Sequence, residues 1–588
     1  MLANLRRVFA LAVLAVFVCS FINLSDAEPG WWRSLVGRAQ FVPAFLGTLS
    51  GREWAALVLA ALMAMTLLFG RVYCSFLCPL GIMQDLAIRL RRLWTQRGGR
   101  KPKAAVLHGA SPAPFVRYIV LFLSAAAVAG GYATAFVWLD PYTIAARFMA
   151  GVANPAAAQM YDHASGLFAA DSLQVTPEWA RYGASLLIVC LLVLIPLALA
   201  WRKGRLYCNT ICPVGAFLGI LSRHPLVRLS IRKEACIRCG LCARTCKAHC
   251  IDHRTQTIDT SRCVNCYDCV AVCGREGLRP RLLPFLRRAP SQQAQPRESA
   301  PPLETRRAFL GALACSAPLL FTACDSKRRR PRSADPARLG DNRAAAAVPA
   351  GARSVERLLD GCTGCGLCIS ACPTRVLQPS MTAHGWRGLF KPYLNFSLGF
   401  CNFDCTACAD VCPAGALLPI ALAEKQKTQI ALAEFHRDRC VVQQNRRECG
   451  ACTEHCPTKA LFSVEGRFPV FEHNLCTACG VCADECPRGA IELKLEGGVR
   501  EFAVSDDGKC IACGRCADVC PSRAIRTERL LVPSLAPELC IGCGACTFAC
   551  PVRPERAMTL TPRAVHLTAV RKIEAPAVNP VKEDGFPF

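Results

Sequence analysis

The feature that most constrains this chain is a spacing of cysteines that recurs along it. From Cys236 to Cys246, four thiols stand at gaps of two, two and three residues, and this CxxCxxCxxxC unit returns as far as Cys550, in most copies followed by proline. Disulfide scaffolds are typical of small secreted chains, and zinc sites usually pair two CxxC units across a longer gap. The spacing found here is instead that of thiolates that hold a 4Fe-4S cluster, whose four irons need four converging ligands.

Eight such quartets use 32 of the 41 cysteines and predict eight 4Fe-4S clusters. In paired runs, the fourth cysteine binds the cluster of the neighbouring run. We therefore expect each cluster to take three cysteines from one run and the fourth from the next run along the chain. The expected ligand sets are Cys236, Cys239, Cys242 with Cys273; Cys263, Cys266, Cys269 with Cys246; Cys362, Cys365, Cys368 with Cys412; Cys401, Cys405, Cys408 with Cys372; Cys440, Cys449, Cys452 with Cys486; Cys476, Cys479, Cys482 with Cys456; Cys510, Cys513, Cys516 with Cys550; and Cys540, Cys543, Cys546 with Cys520.

Three details depart from the regular spacing. A gap of three residues precedes Cys405 and a gap of eight precedes Cys449, which indicates small loop insertions. Neither of the first two runs is followed by proline. Cys250 is left over just after the first run, and we expect a buried structural thiol there.

Composition adds a membrane component. Hydrophobic residues make up 52% of the chain and charged residues only 19%, and apolar runs at 5–24, 53–70, 116–139 and 181–201 predict four membrane helices. Seven basic residues lie in 89–103, whereas the loop 140–180 contains few, so the positive-inside rule places both ends of this unit in the cytoplasm. Topology therefore accounts for much of the net charge of +27, and we expect no nucleic-acid partner.

Two short segments repeat each other at the ends of membrane helices: GRVYCSFLCPLG at 70–81 and GRLYCNTICPVG at 204–215. They indicate an internal repeat of a helix pair. Helical spacing places Cys74 and Cys78 on one face, and Cys208 and Cys212 likewise. Two interpretations stay open. The four thiols either hold a metal or cluster, or exchange electrons as thiols, in a redox role that we favour; or they are small buried residues before a helix-ending proline.

The middle of the chain contains an export-like segment. Residues 287–306 have the composition of a linker, and 304–332 contains twin arginines followed by an apolar core at 308–324. This pattern is typical of a twin-arginine signal, here inside the chain, and the core, although short, would serve as a fifth crossing. A basic cluster at 327–332 opposes that orientation. Because twin-arginine routes export folded cofactor proteins, we expect residues 351–588 in the periplasm.

The predicted fold class is α+β. It combines a four-helix membrane unit, to which the segment 308–324 would add a fifth crossing, with tandem small ferredoxin domains of the bacterial type that hold two 4Fe-4S clusters each. The expected domains are the transmembrane unit with the CxxxCP motifs, a cytoplasmic two-cluster segment, a linker, and a region of six quartets. Their boundaries are 1–215, 216–285, 286–350 and 351–588. The four membrane runs contain no histidine and the chain no CxxCH, so we expect no haem.

Residues 1–285 resemble the NapH/NosR/CcoG group of membrane ferredoxins. The resemblance rests on the paired CxxxCP motifs, the four apolar runs and the two cysteine runs that follow them. Residues 304–560, with RRAFL at 306–310 and runs that end in proline, resemble NapG-type exported ferredoxins. The resemblance implies a multi-pass protein of the inner membrane that transfers electrons between the quinone pool and a periplasmic reductase, with the CxxxCP helices near the quinone. NosR-like relatives also carry a flavin domain, for which this chain has no room.

Two functions remain in competition at this stage. The first is an electron conduit from the quinol pool through eight clusters to a redox enzyme, the periplasmic reductase that the resemblance implies. The second is an assembly or maturation factor that supplies reducing power to a metalloenzyme or reduces a metal ion. No nucleophile with a neighbouring base and no phosphate-binding loop is evident in the sequence, which fits an electron-transfer subunit better than an enzyme with its own substrate pocket.

Overall fold

The computed structural model describes residues 2–22, 32–97, 114–130, 133–166, 179–275, 277–282, 344–496 and 500–570. Most of the predicted linker, including the twin-arginine segment at 308–324, lies outside the described residues. The described chain forms an apolar helical unit and two cysteine-rich regions. We call residues 227–282 the first arm and residues 344–570 the second arm.

Four apolar helices form where the sequence predicts membrane helices. Their bounds are Leu2–Phe21, Glu53–Phe69, Pro114–Ala129 and Trp179–Lys203. Two segments, Leu2–Phe21 and Ser185–Lys203, are long and apolar enough to cross a membrane, whereas the other two are apolar but shorter. The run predicted at 116–139 does not form one helix, because a second helix begins at Ala133. The described residues thus contain four apolar helices, of which two have full spanning length, and the four-helix membrane unit stays a prediction.

Further helices belong to the same unit, and one of them, Pro79–Arg97, has 19 residues. They are Leu35–Arg38, Phe41–Leu49, Tyr73–Phe76, Pro79–Arg97, Ala133–Trp138, Pro141–Phe148, Asn154–Gly166, Leu206–Thr210 and Pro213–Leu221, with a π-helix at Met149–Ala153 and a 3-10 helix at Trp32–Ser34. Pro79 and Pro213 each begin a helix directly after the second cysteine of a CxxxCP motif. Proline is well tolerated at that position, since its missing N–H would have no partner in the first helical turn. The two motifs therefore have the same helix–turn–helix geometry.

The two arms contact opposite ends of the apolar helices. At the start of Glu53–Phe69, the Arg52 guanidinium donates to the Gly415 carbonyl of the second arm at 3.2 Å. At its end, the Phe69 carbonyl accepts a hydrogen bond from Asn265 of the first arm. A helix of 17 residues is about 25 Å long. The helical unit therefore separates the two arms by roughly the thickness of an apolar bilayer core.

The first arm is a small unit of two antiparallel strand pairs. Its outer strands Val227–Ile231 and Leu278–Leu282 pair antiparallel, as do the two-residue strands Ile251–Asp252 and Thr257–Ile258. Short helices at Leu241–Thr245 and Asp268–Ala271 follow the cysteine loops.

The second arm is built from strands that pair in a nested order. Leu377–Pro379 pairs with Pro392–Leu394 near its start. The other three ladders enclose one another: Thr428–Phe435 with Met558–Thr568, Leu461–Phe471 with Ile525–Leu535, and Ile491–Glu496 with Arg500–Ser505. The short helices of this arm are Val355–Gly361, Leu367–Ser370, Ala407–Asp410, Leu422–Lys425, Val441–Asn445, Ala451–Glu454, Val481–Asp484, Arg515–Asp518 and Ala545–Ala549, with 3-10 turns at Ala350–Ala352, Trp386–Gly388 and Arg437–Arg439. This nesting folds the later half of the arm back onto the earlier half.

Candidate metal centres

In the first arm the cysteines group as the exchange rule predicts. Cys266 and Cys269 lie near Cys263 and near Cys246 of the preceding run, and burial raises the pKa of Cys266 to about 12. Gly277 donates its N–H to the Cys273 sulfur at 3.3 Å and also lies beside Ala235, which precedes the first run. The thiol of Cys273 therefore lies close to the start of the first run, and its place in the ligand set of Cys236, Cys239 and Cys242 stays a prediction.

The left-over thiol of the first arm is buried, as the sequence suggests, and it lies against a predicted ligand. The Cys250 sulfur is 3.5 Å from the Cys246 sulfur. The structure thus places Cys250 at the edge of a predicted ligand set rather than in a separate core.

The first two quartets of the second arm also exchange their fourth cysteines as predicted. Burial is the main cause that raises the pKa of Cys362, to about 12, and Cys412 of the next run is among the charges that act on it. Cys408 in turn lies near Cys401, Cys405 and Cys372.

For the last four quartets, the predicted exchange between sequence neighbours is wrong. Cys440, Cys449 and Cys452 line one small cavity with Cys550 instead of Cys486. The set of Cys476, Cys479 and Cys482 meets Cys520 instead of Cys456. Cys456 lies beside Cys540, Cys543 and Cys546, and Cys486 is left near Cys516. The nested ladders explain this, because eleven paired residues between Leu461–Phe471 and Ile525–Leu535 bring the sixth run of the arm back to the third.

Contacts between quartets arrange the second arm into one line whose order differs from that of the sequence. The Cys401 N–H donates to the Cys543 carbonyl at 2.8 Å. The sets of Cys540 and Cys452 share an apolar cluster. Gln443 donates to the Cys510 carbonyl, and the last two sets meet where Cys482 and Cys516 pack together. The runs of this arm therefore follow one another in space as first, second, sixth, third, fifth and fourth.

Local backbone geometry explains why these loops can hold their thiols. Gly366, Gly480, Gly514 and Gly544 follow the second cysteine of a run and have φ between 75° and 86°, a left-handed conformation that favours glycine. Backbone N–H groups point at sulfur, as from Gly364 to Cys362 at 3.3 Å. Among the described residues, no group of three or more Cys, His or carboxylate side chains has the spacing that a single metal ion needs. The glycine conformations and the N–H groups thus shape each cysteine loop locally.

The four CxxxCP cysteines come together between the two arms, and we call them the central quartet. Cys74, Cys78, Cys208 and Cys212 are 3–5% exposed and lie in one buried cluster. Burial raises the pKa of Cys208 to about 11 and also raises the pKa values of Cys78 and Cys212.

Family comparisons agree with the cysteine pattern. A 4Fe-4S binding domain family matches residues 53–97 and 185–233, the segments that contain the central quartet, and a second family with that description matches 233–248. Families described as 4Fe-4S dicluster domains match 259–376, 361–417, 445–491, 475–524 and 509–554.

Similar curated proteins are ferredoxin-type. The chain is 25% identical over 240 residues to the ferredoxin-type protein NapH of Escherichia coli, covering 39% of this chain and 69% of that protein. It is 31% identical over 182 residues to the methylamine utilization ferredoxin-type protein MauN of Paracoccus denitrificans, covering 30% and 48%. It is 28% identical over 210 residues to the regulatory protein NosR of Pseudomonas aeruginosa, covering 35% and 24%. The chain thus matches about half of MauN and a quarter of NosR.

The chain therefore contains 4Fe-4S ferredoxin-type domains and is similar to the ferredoxin-type protein NapH and to NosR. Its general role, iron–sulfur electron transfer, follows from the same relatives and domains. In this ferredoxin-type protein, sequence reasoning missed the charged residues that support the central quartet, among them Arg71, Arg205 and Asp85. An arginine signal is present in the sequence, because each repeat reads Gly-Arg-x-Tyr-Cys.

Proposed function

We propose that this protein is a multi-pass inner-membrane electron carrier that takes electrons from the quinol pool and delivers them, through eight 4Fe-4S clusters, to a redox enzyme in the periplasm. The observation that carries the proposal is the single line of quartets in the second arm, which leads away from the helical unit. When bound, each cluster accepts and releases one electron. The contribution of the chain is to hold the quartets in sequence and to shield them from water.

The arrangement of the arms supports the proposed topology. The arms contact opposite ends of the helix Glu53–Phe69. The predicted apolar segment 308–324 lies between the two arms in the sequence. With the basic stretch 89–103 on the cytoplasmic side, the first arm is cytoplasmic and the second periplasmic.

A cleft between the helical unit and the second arm supports a lipid-soluble electron donor. It is lined mainly by apolar groups, including Val189 of the helix Trp179–Lys203, Phe390, and Gly364 and Gly366 of the first cysteine loop. Arg147 also lines it, 5% exposed, and its Nη1 is buried without a hydrogen-bond partner among the described residues. A quinol head group that enters from the bilayer would find an apolar wall and one cationic donor beside a predicted cluster.

The proposal is tested by reduction with a quinol analogue. Membrane vesicles that contain the protein, kept anaerobic, should lose cluster absorbance when the quinol is added. If the clusters are intact and reducible by dithionite but do not bleach with quinol, the quinol donor is excluded and a maturation role is favoured.

A pair of variants examines the cleft. Val189→Trp fills it and should abolish bleaching by quinol while leaving bleaching by dithionite unchanged. The matched control is Leu187→Trp, a substitution on the same helix at a side chain that is 63% exposed. Equal rates in both variants would show that quinol does not use this cleft.

The side of the second arm is tested separately. In intact spheroplasts, protease added from outside should cut residues 351–588 and spare the first arm. Protection of both arms would place the second arm in the cytoplasm and remove the periplasmic partner from the proposal.

A further inference from the structure

The central quartet lies on a pseudo-two-fold axis that relates the two CxxxCP repeats. The Arg205 Nη1 of the second repeat donates to the Cys74 carbonyl of the first at 2.6 Å. In return, the Arg71 Nη2 of the first repeat donates to the Cys208 carbonyl of the second at 3.1 Å. These crossed hydrogen bonds fix the two cysteine-bearing turns against each other, so the four thiols are held by both repeats together.

The two arginines differ in their counter-charge. Arg205 is fully buried and forms an ion pair with Asp85 at 2.9 Å. Arg71 is also fully buried, but its hydrogen-bond partners in the described chain are Asn209, the Ser261 and Cys208 carbonyls, and the Cys74 sulfur at 3.8 Å. None of these is a carboxylate. A buried guanidinium without an anion is costly, so the site around Cys74 needs negative charge.

A predicted cluster site of the second arm also has a buried arginine beside its cysteines. The buried Arg147 donates to the carbonyls of Thr363 and Gly364 in the first cysteine loop, at 3.3 and 3.1 Å. The acidic groups that act on it are the Cys362 and Cys365 thiols and the Asp140 carboxylate. Four thiolates outweigh the positive charge of an oxidised iron–sulfur core, so a ligated quartet is an anion. Arg147 beside a ferredoxin-type loop and Arg71 beside the central quartet are thus placed alike.

A polar group also faces the central quartet from within the fold. Gln84 is fully buried, its side-chain oxygen is 3.1 Å from the Cys208 sulfur, and its amide nitrogen has no partner among the described residues. The equivalent position in the second repeat is Leu218, which donates nothing. An amide that can turn to donate to sulfur is the kind of group that tunes an iron–sulfur centre.

The contacts of the central quartet reach both arms. On one side, the Ser75 hydroxyl donates to the Val264 carbonyl at 2.7 Å, and Asn209 donates to the Ala248 carbonyl at 3.2 Å. Ser75 and Asn209 each follow a cysteine of the central quartet, and Val264 follows Cys263 of the first arm.

On the other side, the hydroxyl of Tyr207, the residue before Cys208, donates to the Leu139 carbonyl at 2.9 Å. Three residues further along, Tyr142 is buried beside Cys365 of the second arm. The central quartet is therefore the connecting position between the two arms.

We propose that the central quartet binds a further iron–sulfur cluster, in addition to the eight of the ferredoxin-type runs, and that this cluster connects the two arms electronically across the helical unit. This inference rests on the electron-transfer function proposed above but not on quinol as the donor. In each transfer, one iron of the donor cluster is oxidised from ferrous to ferric and one iron of the acceptor cluster is reduced, so a single electron passes and no bond forms or breaks.

The test counts iron in the full-length protein, purified anaerobically, and follows its paramagnetic signals after reduction. Eight 4Fe-4S clusters contribute about 32 irons, and a further cluster adds about two to four. The double variant Cys74→Ser/Cys208→Ser should lose only that increment and one paramagnetic signal. The control is Cys190→Ser, a thiol on Trp179–Lys203 outside every quartet, which should lose nothing.

A second variant keeps the test decisive if the double variant does not accumulate. Gln84→Leu gives the first repeat the side chain that the second repeat has at position 218 and leaves all four cysteines in place. Iron content should stay at the wild-type value while one signal shifts, a change that a merely structural glutamine would not produce. Unchanged signals in Gln84→Leu, unchanged iron in the double variant, or a disulfide between central cysteines in anaerobic wild-type protein would each overturn the proposal.

Failure of this inference differs from failure of the proposed function. A central signal in protein that quinol does not reduce removes the donor and leaves the further cluster. If quinol reduces the clusters of the second arm but no paramagnetic signal from the central quartet is found, the quinol donor stands and the further cluster is excluded.

Discussion

The central quartet and the first quartet of the second arm hold four thiols each, but different parts of the chain support them. Around Cys362 and Cys365 the support is mostly backbone, with a left-handed glycine at Gly366 and an N–H that points at sulfur. Around Cys74 and Cys208 it comes from side chains that cross between repeats. The loop of Cys362 and Cys365 is thus shaped mostly by its own backbone, with Arg147 as its distant side-chain support. The central quartet depends mostly on side chains more than a hundred positions apart. Substitutions of distant charged residues should therefore affect the second kind of site far more than the first.

The largest effect is expected at Asp85. This carboxylate is 2.7 Å from Arg6, 2.9 Å from Arg205 and 3.4 Å from Lys247, all buried. Burial alone would raise the pKa of Asp85, but the three cations outweigh it and hold that pKa well below its usual range. Asp85→Ala leaves Arg6 and Arg205 without their carboxylate, while Lys247 keeps Asp268 at 2.8 Å. The variant should lower the free energy of unfolding by about 3–5 kcal/mol. Thermal unfolding of the detergent-solubilised protein measures this.

The control for Asp85 is an ion pair on the surface of the second arm. Arg353 and Glu424 are 3.7 Å apart, and both side chains are more than half exposed. Glu424→Ala should change stability by no more than about 1 kcal/mol. Similar losses in the two variants would mean that the buried charges around the central quartet do not act as its support.

Glycines give a sharper comparison of the two kinds of quartet. A Cβ on Gly81 would lie 2.3 Å from the Cys74 carbonyl oxygen, and one on Gly215 would lie 2.3 Å from that of Cys208. Alanine at either position must displace backbone and should cost about 1–3 kcal/mol, to a similar extent in both because the repeats are symmetric. At Gly480 of a loop quartet, a Cβ would meet open space, so alanine there should cost only the strain of its φ of +78°, about 1–2 kcal/mol.

Iron content distinguishes the outcomes of these glycine variants. Gly81→Ala and Gly215→Ala should each reduce the iron of the central quartet, while Gly480→Ala should affect only its own loop. Gly151→Ala, where a Cβ also meets open space at an ordinary φ, should be neutral within about 0.5 kcal/mol. Strongly unequal losses at Gly81 and Gly215 would contradict the pseudo-symmetry.

The sequence predicts the cysteine runs and the apolar helices, which depend on local patterns. It does not predict which run receives each fourth cysteine in the later part of the second arm, because the pairing of distant strands decides this. The cysteine gaps and the apolar runs indicated every quartet and the approximate position of each apolar helix. The pairing of Cys440 with Cys550 could not be predicted from spacing, because it depends on which strands find each other across about a hundred residues. Exchange between neighbours is the local rule, and the nested ladders override it.

The central quartet shows the same limit. The repeated motif indicated that Cys74 and Cys208 belong together, but no pattern in the sequence identified Asp85 or Gln84 as their neighbours. These two residues break the repeat, since the second copy has Leu218 and Gly219 at the equivalent positions. A symmetric motif predicts the symmetric part of a site. The asymmetric residues, which adjust its charge and hydrogen bonding, become visible only when the helices are packed.

The smallest effect is expected at Cys250, where the loop of the first arm can be compared with a loop of the second. Counted from the fourth cysteine of its run, Cys250 corresponds to Val376, which is buried in the second arm at 1% exposure. If Cys250 only fills the same space, Cys250→Val should cost less than about 1.5 kcal/mol and leave the iron content unchanged, because the two side chains are similar in volume. Its sulfur is, however, only 3.5 Å from that of the predicted ligand Cys246. Loss of a whole cluster in Cys250→Val, with full loading in Cys246→Ser, would instead make Cys250 the ligand and show that the loop of the first arm is shifted by four residues.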